Sequence, residues 1–262
     1  MTTEVWWGEY SFEQLQQRVW QVGGRAIILR RLANEWNSWN IEAEEELDEP
    51  IQCKDNCTVE YDEQLIHGRF LQQNTSDSIR VLPLLADRSI VARPATPLTL
   101  LPGQRSRLYV STPIWFQAKS LPSEALLLDI PFWRPSDSWF GSSTREGQIV
   151  YAKYTSARIQ LDKLERKSHR AITPITVINI HKEALVIERI NVPVTLLHLY
   201  SDSTQQLWTT SIEVKREEDN GNVELTLEKQ APPEANIAQL VNSPREASEG
   251  NRLIRSISSL FA

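Results

Sequence analysis

Between residues 18 and 229, apolar side chains recur at every second position in short runs rich in Val, Ile, Thr and aromatics, and Gly or Pro separates the runs. Period two is the repeat of a strand with one face in a core, whereas a helix repeats near 3.6 residues. Many such runs in one chain call for an all-β fold, because each must lay its apolar side against another sheet. The stretch 18–32, "RVWQVGGRAIILRRL", reads as two strands about Gly23 and Gly24, a pair suited to a tight hairpin turn. In "EWNSWNIEAEEE" (35–46), Trp39 and Ile41 fall on one face and Asn40 and Glu42 on the other. "FEQLQQRV" (12–19) fits a short helix as well as a strand, since its apolar residues also stand three and four apart.

Further strands are expected over 78–85, 89–101 and 106–120, the last bent at Pro113. Pro83, Pro94 and Pro97 argue against central sheet positions beside them, because proline lacks the ladder donor. "LPGQ" (101–104) has turn chemistry. After a loop over 119–125 come "LLLDIPFW" (126–133) and "QIVYAKYTSARIQL" (148–161), then a hairpin between 212–216 and 223–227 turning at Asn220 and Gly221. Residues 44–63 are acidic and weakly periodic and read as an exposed loop. The end of the chain changes period. Ser243, Pro244 and Glu246 take the places of a capping box and first-turn proline, and Leu253, Ile257 and Leu260 recur at helical spacing, so a C-terminal helix is expected there. At 262 residues the chain is long enough for two domains, expected at 1–118 and 119–262. The expected architecture is therefore two packed β-sandwich-like domains, or one extended sandwich, with a C-terminal helix.

Several functions are disfavoured. The net charge of -6 leaves no overall basic footprint for nucleic acid. No signal peptide and no apolar run of membrane-spanning length is visible, so a cytoplasmic location without direct membrane insertion is expected. Cys53 and Cys57 stand four apart without a nearby histidine or second cysteine pair, so neither a structural metal nor a cofactor is expected. His67, His169, His181 and His198 form no metal-ligand spacing, and there is no GxSxG nucleophile turn. Catalytic residues are not assigned.

Residues 136–154, "SDSWFGSSTREGQIVYAKY", stand out. Gly141 and Gly147 are six apart with no Lys-Ser or Lys-Thr behind them, and strand follows rather than helix, which excludes a phosphate loop or a dinucleotide fingerprint. Ser143, Thr144 and Arg145 in one turn have the hydroxyls and guanidinium to hold an anion. Trp133, Arg134, Asp137, Trp139 and Tyr154 have the chemistry of a sugar or small-ligand surface. Against this, a turn between two strands needs its glycines for the backbone, and Trp139 and Phe140 suit a core. The same core reading applies to most of the nine tryptophans.

The segments "WWGEYSF" (6–12), "LLPGQRSRLYVSTPIWF" (100–116) and "WFGSSTREGQIVYAKYTSARI" (139–159) resemble the prokaryotic domain-of-unknown-function family numbered 432, over a stretch from Trp6 to about Tyr200. The acidic segment around Cys53 and Cys57 fits that likeness least. The resemblance implies an accessory or regulatory β protein rather than an enzyme, since some members accompany small-conductance mechanosensitive channels. A protein partner is then expected, such as a membrane channel or its cytosolic part, and a homodimer also fits. The resemblance brings no ligand residues.

Overall fold

The computed structural model describes residues 5–55, 62–141, 145, 147–152, 155–216, 221–247, 250 and 252–261. In chain order the strands are β1 (Gly8–Ser11), β2 (Gln17–Val22), β3 (Arg25–Arg31), β4 (Glu35–Ile41), β5 (Gln52–Asp55), β6 (Gly68–Leu71), β7 (Ser78–Leu85), β8 (Ile90–Pro94), β9 (Leu98–Leu100), β10 (Arg105–Ser120) and β11 (Ala125–Pro131). They continue with β12 (Asp137–Phe140), β13 (Gln148–Tyr151), β14 (Ser156–Arg158), β15 (Arg170–Asn179), β16 (Leu185–Ile187), β17 (Ile190–Val192), β18 (Leu199–Ser201), β19 (Leu207–Thr209), β20 (Ile212–Arg216), β21 (Asn222–Leu227), β22 (Gln239–Asn242) and β23 (Arg252–Ser256). One helical turn, α1 (Ile257–Leu260), follows. The fold is predominantly β, in mixed sheets, with one C-terminal helix.

The chain divides into two units, each assembled from separated stretches: 1–84 with 115–133 and 167–169, and 85–114 with 134–166 and 170–262. The division expected from the sequence is a single cut after residue 118. Strand β10 contributes to both units.

In the first unit an antiparallel sheet runs β5-β2-β3-β4-β6. The turn between β2 and β3 places Gly23 at φ +55°, a left-handed geometry that favours glycine. On one face of the sheet Val19, Ala26, Ile28 and Trp39 pack together. An aromatic cluster is built on Trp20, whose ring meets Phe116 at 5.0 Å and Tyr10 at 5.3 Å, while its Nε1 donates to the Trp6 carbonyl at 2.9 Å. Phe12 meets Trp36 edge-on at 5.1 Å. Residues 13–16 hold a turn and residues 17–18 already belong to β2, so this segment is not a helix. Trp6, Trp20, Trp36, Trp39, Trp115, Trp133 and Trp208 are all buried, as the core reading of the tryptophans expects.

The acidic segment departs from expectation. It holds strand β5, which pairs antiparallel with β2 (Trp20 opposite Cys53), and it sends Glu46 inward to the ring nitrogen of His169 at 2.8 Å. An edge strand with mainly polar residues carries little apolar periodicity, so its pairing is not visible locally. Cys57 lies outside the described residues.

In the second unit the strand order is β12-β13-β8-β14-β10-β15-β19-β18-β22. β13 and β14 run parallel to β8, and β19 and β20 run parallel to β15. Beyond β20 the ladder continues antiparallel, with β21 on β20 and β23 on β21. The hairpin over 212–227 forms as expected, with Asn220 outside the described residues. Pro113 is the last residue of β10 paired with β15, opposite Arg170.

The C-terminal helix is far shorter than its sequence spacing suggests. Residues 252–256 are strand, with Leu253 opposite Leu225. Pairing with β21 supplies backbone partners for the segment, and only residues 257–260 coil. The capping-box residues are used otherwise: the Glu246 amide donates to the Thr195 carbonyl at 3.0 Å, and the Thr195 hydroxyl donates to the Glu246 carboxylate at 3.2 Å.

Candidate functional site

Strands β12 and β13 form an antiparallel hairpin, with Trp139 opposite Ile149 and Phe140 opposite Gln148. Adjacent residues of a strand point to opposite faces, so Trp139 and Phe140 cannot both enter one core. Phe140 packs on Val91 and Val150. Trp139 lies on the other face and stays 44% exposed, which corrects the expectation that both are core residues. Gly147 has the role expected of it. A Cβ there would lie 2.6 Å from the Phe140 carbonyl oxygen and 2.7–2.8 Å from the indole of Trp139, so any side chain at this position forces the hairpin to shift.

Two predicted site residues do meet. Arg134 Nη2 donates to both oxygens of Asp137 at 3.0 and 3.2 Å, and Arg88 Nη1 donates to the same carboxylate at 3.1 Å. The two guanidiniums stand 5.6 and 5.5 Å from the centre of the Tyr151 ring, whose hydroxyl donates to Asp87 at 2.9 Å. Burial pushes the Tyr151 phenol up, and the bond to Asp87 acts the same way. The hydrogen bond to Asp137 raises Arg134. Among the described residues two arginines face two aspartates here, so these four side chains balance one another's charge.

The remaining predicted residues scatter. Trp133 belongs to the first unit, is buried, donates from Nε1 to the Ala43 carbonyl at 3.2 Å and packs on His169 at 4.5 Å. It is a core residue, which removes it from an exposed sugar-stacking surface. Arg145 is exposed. Ser143, Thr144 and Tyr154 lie outside the described residues.

The hairpin does border a cleft, of about 380 Å³. Phe140, Gly141, Gly147 and Gln148 line one side, and Arg255, Ser256, Ser258, Ser259 and Leu260 line another. Asn191 and Pro193 from β17 and beyond it, with Leu225 from β21, complete it together with Ser89. The C-terminal turn is held in place by Asn191 Nδ2, which donates to the Ser259 carbonyl at 3.0 Å, and by a bridge between Ile190 and Phe261. Asn191 is 5% exposed, and its Oδ1 is buried without a hydrogen-bond partner among the described residues. Arg255 is exposed and forms no ion pair among them. The cleft lining therefore combines a cation without an ion pair among the described residues, four serines, and Asn191 with its unpartnered Oδ1, beside the apolar side chains of Phe140, Leu225 and Leu260. Sequence reasoning missed Asn191 and Arg255 altogether. The serine-rich "RSISSLFA" ending was the available signal, and the helical reading absorbed it. Among the described residues no group of three His, Cys, Asp or Glu is placed to hold a metal ion.

A family model described as a protein of unknown function (DUF432) matches residues 6–261. The chain belongs to the DUF432 family. The matched stretch of this DUF432 protein runs through the acidic segment and beyond Tyr200 to Phe261, so it includes both walls of the cleft. No curated protein and no solved structure matches it. Among its described residues no helix is long and apolar enough to cross a membrane.

Proposed function

We propose that this DUF432 protein is a non-enzymatic regulatory β protein that binds a small anion-bearing molecule in the cleft between the β12–β13 hairpin and the C-terminal turn. The observation that carries this reading is a cleft lined by Asn191, whose buried Oδ1 has no partner among the described residues, and by Arg255, which forms no ion pair among them. A buried acceptor without a partner costs about 1–3 kcal/mol, which a ligand N–H or O–H would recover. Arg255 and the serine hydroxyls suit a phosphate or carboxylate on the same molecule. The volume lies at the small end of ligand cavities. The test is calorimetric titration with glycerol 3-phosphate, which carries both an anionic group and hydroxyl donors. Saturable binding that Arg255→Ala abolishes supports the reading; no heat, or an Arg255→Ala variant that binds like the parent, overturns it.

A protein partner is favoured by a second observation. β12 lies at one end of the strand order, and Trp139 and Ile149, opposite each other, are 44% and 55% exposed. Exposed aromatic and aliphatic side chains at a sheet edge suit a docking surface. A cytosolic channel segment is the partner consistent with the family. Trp139→Ser should leave the fold intact and remove co-purification with a co-expressed small-conductance mechanosensitive channel; unchanged co-purification counts against this edge.

A further inference from the structure

The first unit has a cavity of its own, of about 550 Å³, bordered by Val5, Trp6 and Tyr10, by Arg18 of β2 and by residues 50–55. Trp6 lines it, is 4% exposed, and its Nε1 is buried without a hydrogen-bond acceptor among the described residues. Arg18 lines the same cavity, and its Nε is likewise buried without an acceptor. The rest of the Arg18 guanidinium is committed: Nη1 to Asp55 at 2.5 Å, Nη2 to the Ser11 carbonyl at 3.1 Å, with the rings of Tyr10 and Phe12 at 5.1 and 5.3 Å. The guanidinium is thus held in one place while its Nε N–H has no acceptor among the described residues. Two side chains that line one cavity thus each carry a buried N–H donor without an acceptor among the described residues, and such donors call for an acceptor from outside the chain, because a buried donor without a partner is rare and costly.

Charge narrows the acceptor. Arg18 and Lys54 bring two positive charges to the lining and Asp55 one negative, which leaves one net positive charge. Burial keeps the Tyr10 phenol and the Cys53 thiol protonated by pushing both up, so neither adds to that sum at neutral pH. One net charge balances a monoanion rather than a phosphate dianion. Val5, Pro50 and Ile51 supply an apolar wall for the carbon body. We propose that this cavity binds a small organic monocarboxylate, its oxygens accepting from Trp6 Nε1 and Arg18 Nε and its apolar end against Ile51. This site is independent of the cleft beside Arg255.

The test is nuclear magnetic resonance on ¹⁵N-labelled protein, following the Trp6 indole N–H, which Trp6→Phe assigns by its loss. Hexanoate, acetate and inorganic phosphate are titrated separately. The expected result is a saturable shift of the Trp6 indole signal, tightest for hexanoate, weaker for acetate and weakest for phosphate. Arg18→Gln should weaken hexanoate binding about tenfold or more, the loss of one charge-assisted donor. Trp6→Phe keeps an aromatic side chain, though a smaller one, and removes the donor, and calorimetry should show a comparable weakening. It carries the test if Arg18→Gln does not fold. An indole signal unmoved by both carboxylates means that water alone meets these donors and overturns the proposal. Phosphate binding tighter than hexanoate, or unchanged hexanoate affinity in a folded variant, overturns it as well.

Discussion

Trp139 and Phe140 are neighbours with opposite fates. Phe140 is sealed among Val91 and Val150, while Trp139 lies across Gly147 and keeps much of its ring in solvent. Phe140→Ala should therefore cost about 3–5 kcal/mol by cavity formation. Trp139→Ala should cost only about 1 kcal/mol, in proportion to the area it buries. Urea melts of the two variants check the order, and a Trp139→Ala loss equal to that of Phe140→Ala would contradict the exposure seen here. Both side chains were visible in the sequence as aromatic and strand-borne. Which of them faced inward was not, because a four-residue strand has too few alternations to reveal its inner face.

The β12–β13 hairpin depends on the absence of a side chain at Gly147. In Gly147→Ala the new methyl must push either the Phe140 carbonyl or the Trp139 indole by several tenths of an ångström. The expected cost is about 1–3 kcal/mol, as for overpacking elsewhere. Because Gly147 and Gln148 line the cleft, glycerol 3-phosphate affinity should fall in the same variant, read by calorimetry alongside its melt. The sequence reading of this segment as a glycine-dependent hairpin matches the structure. The reading of a C-terminal helix holds only for residues 257–260, and residues 252–256 are strand instead. Leu253, Ile257 and Leu260 have helical spacing, yet β21 presents a free edge to residues 252–256, and ladder hydrogen bonds outweigh a weak propensity broken by Gly250. That displacement brings Arg255 and three serines to the cleft, so the candidate site was hidden by the same error.

Each unit of the molecule draws on distant stretches of chain. Arg25 makes this concrete. Its guanidinium is buried, which lowers its pKa to about 10, and it donates to the carbonyls of Ala26, Ile41, Pro131 and Phe132. Two of those carbonyls lie more than a hundred residues further on, and Phe132 also meets Trp6 edge-on at 5.2 Å. A fragment of residues 1–118 lacks both carbonyls, the Phe132 ring and all of β11. It should give a poorly dispersed proton spectrum and no cooperative thermal transition, whereas the full chain melts cooperatively. A well-dispersed spectrum from the fragment would show that the first unit does not need residues 119–133.

The sequence by itself determined the predominantly β character, most strands, their glycine turns and the burial of most tryptophans. Those features are local: period two, turn chemistry and side-chain size act within a few residues, and each survives whatever the rest of the chain does. Only the tertiary structure decided that β5 pairs at the edge of the first sheet, that Trp133 is core while Trp139 is surface, and that residues 252–256 are strand. It alone brought Asn191 beside Ser259 and left Trp6, Arg18 and Lys54 around one cavity. Those outcomes rest on hydrogen-bond partners and packing surfaces supplied from far along the chain. No local pattern encodes such partners, because the free energy that selects them exists only once both sides are present.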